Sequence, residues 1–136
     1  MRIVVDTNVL VAARRSSLGA SRLLLEEWLG GAVEAAVTVA LFLEYEAVLK
    51  RPEHLAGPVS LVDELLDAIA AVSVPIESRF SWRPQLRDPD DDFVLDAAMN
   101  AGASAIVTFN QTDFSPQAQH LGLALLTPAQ FLRSMK

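Results

Sequence analysis

Acidic residues on separate segments of this chain are the groups whose spacing could do chemistry. The densest set is "RDPDDDFVLDAAM" (87–99), four aspartates within five positions before an apolar helical pattern takes over. A helix start uses one or two acids. Four held together raise one another's pKa unless a cation lies among them. Three further segments place an acid beside an apolar run: Asp6 directly after "RIVV", Glu44 within "LFLEYEAVLKRP", and Asp113 in "TFNQTDF". The chain has no cysteine and only His54 and His120 as imidazoles, both in unremarkable settings, so a metal site built here is all oxygen. Oxygen sites select Mg2+ or Mn2+ over zinc. Such cations recruit phosphate oxygens, activate water and stabilise displacement at phosphorus. Without a glycine-rich phosphate loop, that chemistry is phosphodiester hydrolysis rather than nucleoside triphosphate binding.

Each acid also has an ordinary role to set against this one. Asp6 could cap the helix begun by "NVLVAA", although Thr7 or Asn8 would serve as well and leave Asp6 spare. In 41–52 the apolar stripe is Leu41, Tyr45, Val48 and Leu49. At about 100° per residue, Glu44 falls at the edge of that stripe, and Glu46 on the far side is an ordinary solvated charge. In 89–101 the stripe is Val94, Leu95, Ala97, Ala98 and Ala101. Pro89 suits the first helical position, with Asp88 as cap. Asp90, Asp92 and Asp96 read as dipole-favoured or solvated charges, and Asp91 lies nearest the stripe. Asp113 could cap a helix in "FSPQAQHL"; Asn110 beside it is polar and uncharged.

The elements that must position these groups alternate. Strands are expected at 2–5, 35–39, 72–76, 104–109 and 124–127. The third contains Pro75, which confines it to a sheet edge. Helices are expected around 23–29, closed by Gly30-Gly31, and at 41–52, stopped by Pro52. Others follow at 60–72, with Ser60 capping and Asp63 completing a capping-box variant, and at 89–101. The last opens at Pro128. Residues 53–58 and 77–87 read as loops. Strands that are continuous apolar runs imply a parallel α/β sheet covered on both faces, in one domain over 1–136. In such sheets ligands bind beyond the carboxyl ends of the strands, which is where Asp6, Thr7, Asn8, Glu44, Asn110 and Asp113 fall. The aspartate helix follows a long loop, so its start is open between that edge and a course along the sheet.

The chain carries 136 residues, 51% of them hydrophobic, enough for a core without staples. Its net charge is −6 and its only lysines are Lys50 and Lys136. Nucleic-acid contact would therefore rest on the nine arginines, on bound cations, or on a partner. The first residues form too short an apolar run for a signal peptide. No stretch approaches the ~20 uncharged residues of a membrane span. A cytoplasmic location is expected.

"IVVDTNVLVAA", "ALFLEYEAVLKRP", "RDPDDDFVLDAAMNAGASAIVTFNQTDF" and "LTPAQFL", in this order, resemble a PIN domain over essentially the whole chain. They look most like the bacterial branch of VapC-like toxins from toxin–antitoxin pairs. The resemblance implies a three-layer α/β/α sandwich around a parallel sheet and a Mg2+- or Mn2+-dependent endoribonuclease. It implies an RNA substrate, a cognate antitoxin that occludes the site, and a homodimer. It matches Asp6, Glu44 and Asp91 to the first three acids. The fourth is open between Asn110, where many relatives carry Asp, and Asp113. Asn8 and Thr108 match supporting polar positions. Arg14 and Arg15 are candidates for RNA contact or plain solvated surface, and Trp82 for base stacking or packing on the body. A receiver-like phosphorylation domain lacks its lysine, and a dehalogenase-type phosphatase would need an acid where Asn8 stands. A non-catalytic PIN-like module binding RNA or protein is the alternative.

Overall fold

The computed structural model describes residues 1–79 and 89–135. The expectations attached to Trp82, to Asp88, to the side chain of Asp90 and to the 77–87 loop beyond residue 79 lie outside the described residues.

Five parallel strands form one sheet: β1 (Arg2–Val5), β2 (Glu34–Val37), β3 (Val74–Pro75), β4 (Ala105–Val107) and β5 (Ala124–Leu126), in the order β3-β2-β1-β4-β5. Side chains alternate across a strand, yet Ile3, Val4 and Val5 are all buried. Both faces of β1 are therefore covered, as its unbroken apolar run requires. The helices are α1 (Thr7–Arg15), α2 (Ala20–Leu29), α3 (Val39–Leu49), α4 (Val59–Val72), α5 (Pro89–Ala101), α6 (Gln111–His120) and α7 (Pro128–Ser134). The chain steps outward from β1 to β2 to β3 with α1–α4 as crossovers. It then returns past both strands to β4 through α5, which packs on β1, β2 and β4. Reversing direction under right-handed crossovers puts α5 on the opposite face from α1–α4. The result is a three-layer α/β/α sandwich. No helix among the described residues is long and apolar enough to cross a membrane.

Local rules explain most element ends. Thr38 caps α3, its hydroxyl accepting from Leu41 N at 3.1 Å, which is why β2 stops at Val37. Thr127 and Gln130 form a reciprocal capping box at α7, with Pro128 at its start. Gly31, at φ +87°, turns the chain out of α2. The third strand is an edge strand, and its two residues reflect the N–H that Pro75 lacks.

Three expectations need correction. Ser60 does not cap α4. Pro58 holds that position with no side-chain cap, and Asp63 is drawn instead into an ion pair with Lys50 at 2.7 Å. Asp92 and Asp96 are not solvated: they are 1% and 4% exposed, and both are engaged in contacts. The reason is that α5 is covered by more than the sheet, touching α3 and α6 as well, so charge on its outer face is buried too. Finally, Asp113 does not cap a helix: α6 begins earlier, at Gln111, with Asn110 at the N-cap position, and runs to His120 although Pro116 lies inside it. A proline there removes one helical donor, and the burial of Phe114 and Ala118 holds the helix nonetheless.

Candidate active site

The site begins with a register. In the parallel pairing of β1 and β4, Val5 lies opposite Val107. The next residues, Asp6 and Thr108, leave the sheet side by side at its carboxyl edge. Asp6 occupies the N-cap position of α1, but its side chain makes no cap hydrogen bond. Thr108 instead donates its hydroxyl to Asp6 Oδ2 at 2.7 Å, and Thr108 Oγ1 accepts from Asn110 N at 2.9 Å. Thr108 is wholly buried and Asp6 is 5% exposed. Capping therefore does not account for Asp6.

The other acids arrive on helices. Tyr45 fixes α3: its hydroxyl donates to Val5 O at 2.5 Å, and its ring meets Trp28 edge-on at 6.4 Å. This ties the helix to the end of β1 and brings Glu44, the residue before, to Asp6. Burial, and then the negative charge of Asp6, push the Tyr45 phenol well above its usual range, so it stays a neutral donor. Helix α5 starts at the carboxyl edge. Asp91, 8% exposed, enters the same cleft, which answers the question the long preceding loop left open.

The cleft measures about 220 Å³ and is lined by Asp6, Thr7, Asn8, Val11, Glu44, Val48, Arg51, His54, Asp91 and Asn110. The structure thus brings together Asp6, Asn8, Glu44, Asp91 and Asn110, with Thr108 directly behind Asp6. It does not bring Asp113 into the lining. That residue is exposed in the first turn of α6, whose N-cap position is Asn110, and there its charge favours the helix dipole. Arg14 and Arg15 lie beside the cleft but are bonded to the 51–56 turn. Glu46 pairs with Lys50 at 2.9 Å, away from the site.

Arg51 and His54 are cleft residues that sequence reasoning passed over. A signal for Arg51 was present: Glu44, Val48 and Arg51 stand at i, i+4 and i+7, one face of a helix. The exit of the chain into a turn, which brings His54 back, carries no such pattern.

Among the described residues, no three of Asp, Glu, His and Cys stand close enough to enclose an ion unaided. The carboxylates line a cleft rather than forming a cage. Such an arrangement still fits Mg2+, which keeps several waters and needs only one or two carboxylates. Asn8 adds a specific sign: its Oδ1 is buried and accepts no hydrogen bond. An oxygen acceptor left so, at a cost of about 1–3 kcal/mol, suits a cation or its water.

The sequence matches the PIN domain family over residues 2–112. The chain belongs to the PIN domain family. This PIN domain also shares its fold with VapBC2 from Rickettsia felis, known from a crystal structure bound to a DNA fragment from their promoter. The TM-score is 0.62 and the identity 14%, over 93% of this chain and 98% of that one. Among curated proteins no significant match is found.

Proposed function

We propose that this chain is a Mg2+- or Mn2+-dependent endoribonuclease, one nuclease domain over residues 1–136, and the toxin of a toxin–antitoxin pair in the cytoplasm. The observation that carries the reading is the convergence of Asp6, Glu44 and Asp91, from β1, α3 and α5, on one cleft of a PIN domain. One or two of these would bind the cation directly and the rest through its waters, and the cation would supply positive charge at the phosphate and make water more acidic. Thr108 holds the Asp6 carboxylate in one orientation through the 2.7 Å bond. Tyr45 holds α3, and with it Glu44, against the end of β1. Asn8 offers a neutral oxygen and Asn110 a neutral amide in the lining; Asp113 adds negative field from outside it. The fold shared with VapBC2 supports an antitoxin as partner, and a homodimer is part of the same proposal.

Cleavage of a mixed structured RNA tests it, run with Mg2+ or Mn2+, with EDTA, and with Asp6→Asn, beside calorimetry of Mn2+ binding. Metal-dependent cutting that the variant loses is the expected result. Absence of both cutting and metal binding would overturn it. The runner-up, a binding module without catalysis, is favoured by Asn110 standing in the lining where many relatives carry an acid. RNA binding with neither cutting nor metal uptake would select it.

A further inference from the structure

The chain's acidity leaves one physical problem. A polyanionic substrate must approach a cleft lined by three carboxylates, in a protein of net charge −6. Cations reaching the cleft from the protein itself decide how the strand is held, and the structure singles out one among the seven arginines of the described residues. Arg51 lines the cleft and is exposed. Among the described residues no carboxylate forms an ion pair with it. Its neighbour Lys50 shows the contrast. Lys50 is bonded to Glu46 at 2.9 Å and Asp63 at 2.7 Å, and these partners, Asp63 first, hold its ammonium charged above the usual range. Two consecutive cations thus have opposite fates. One is neutralised on the flank, and the other is kept available at the site.

The turn that carries Arg51 is held from α1. Arg14 donates to His54 O at 3.0 Å and to Ala56 O at 3.2 Å. Arg15 Nη2 lies 3.0 Å from His54 Nδ1. A guanidinium has no acceptor, so in this contact Nδ1 is the accepting nitrogen. The single ring proton then sits on Nε2. Arg15 thereby fixes His54, also a lining residue, as an Nε2–H donor. Arg14 and Arg15, candidates for RNA contact from the sequence, are spent on the protein's own turn.

We infer that Arg51 and His54, held in place by Arg14 and Arg15, form a subsite that grips a backbone phosphate of single-stranded RNA beside the one being cut. The inference rests on the nuclease reading and names how its substrate is held. Arg51 supplies charge and a forked donor, and His54 a neutral donor. Both residues line the same cleft of about 220 Å³ as Asp6, Glu44 and Asp91. Arg14 and Arg15 are positioning residues.

The test measures binding of a fluorescent single-stranded oligoribonucleotide to the full chain over a range of salt, with Ca2+ replacing Mg2+ to slow cutting. Losing one phosphate contact on a single strand lowers the slope of log affinity against log salt by about 0.7. Arg51→Gln should show that drop and bind about tenfold more weakly. Arg51→Lys should restore the slope, and Lys50→Gln should leave it as in the parent. Nitrogen-15 NMR of the His54 ring should report protonation at Nε2 in the parent and a mixture of tautomers in Arg15→Gln, with the fold intact by circular dichroism. An unchanged slope in Arg51→Gln, with the parent binding RNA, overturns this inference alone. A parent that binds no RNA overturns the nuclease reading and this subsite together.

Discussion

The two sides of the cleft are built differently. The acid side stands on the sheet. Asp6 follows a central strand, its partner Thr108 follows the adjacent one, and Asp91 sits on a helix buried on several faces. The cation side is a surface turn held by three contacts from the guanidinium groups of Arg14 and Arg15. The difference teaches where rigidity is needed. Carboxylates that repel one another must be held by structure that cannot relax away, and the interior of the fold supplies that. A group that only has to attract a phosphate can sit on a turn, where local opening costs little.

The sharpest break of this comparison is functional. Asp91→Asn should lower RNA cutting by on the order of a hundredfold, about 3 kcal/mol of barrier, and weaken Mn2+ binding in calorimetry. Arg51→Gln should leave Mn2+ binding unchanged. Were both variants to weaken the metal equally, the two sides would be one unit.

A pH series probes the acid side's support. Tyr45 is the single tyrosine of the chain, and its folded pKa is raised by burial and by Asp6. Below the unfolded value of about 10 both states are protonated, and the phenol adds no pH dependence. Above it the unfolded chain ionises first, so stability falls as pH rises, by up to about 1.4 kcal/mol per unit. Denaturant midpoints from pH 8 to 11 should show this fall in the parent and lose its tyrosine part in Tyr45→Phe. Absorbance titration of the phenol should give a midpoint above 10 for the folded protein.

Smaller effects follow. Thr108→Val keeps the shape and removes the donor to a buried carboxylate, so global stability should drop by about 2 kcal/mol. Arg14→Gln should cost under about 1 kcal/mol globally, because its bonds lie at the surface, while speeding hydrogen exchange at 54–56. A global loss as large as that of Thr108→Val would erase the distinction. Asp113→Asn should change cutting by less than about twofold, since that carboxylate lies outside the lining; a loss as large as that of Asp91→Asn would put it in the cation's shell.

Much of this was legible in the chain, for identifiable reasons. Continuous apolar strands announced the parallel, doubly covered sheet, and Pro75 announced an edge. The stripe geometry of α3 and α5 pointed to Glu44 and Asp91, and both line the cleft. Asp92 and Asp96 misled because helical periodicity marks the face toward one neighbour, whereas α5 has several. The start of α6 was misplaced because Asp113 and Asn110 are both plausible caps, and Asn110 holds that position. His54 was invisible for a related reason: its place is set by a turn and two arginines about forty positions earlier.

The register that joins Asp6 to Thr108 spans 102 positions of chain, and that has a consequence for synthesis. At roughly 5–20 residues per second on the ribosome, about 5–20 s separate the emergence of the two halves of the site. Until β4 emerges, β1 can gain β2 on one edge but has nothing native on the other. Asp6 then has no Thr108 to orient it. Under the proposed nuclease function, a nascent chain would therefore spare the RNA around it until β4 inserts. The same delay leaves an apolar strand edge open to the wrong partner until β4 pairs with β1.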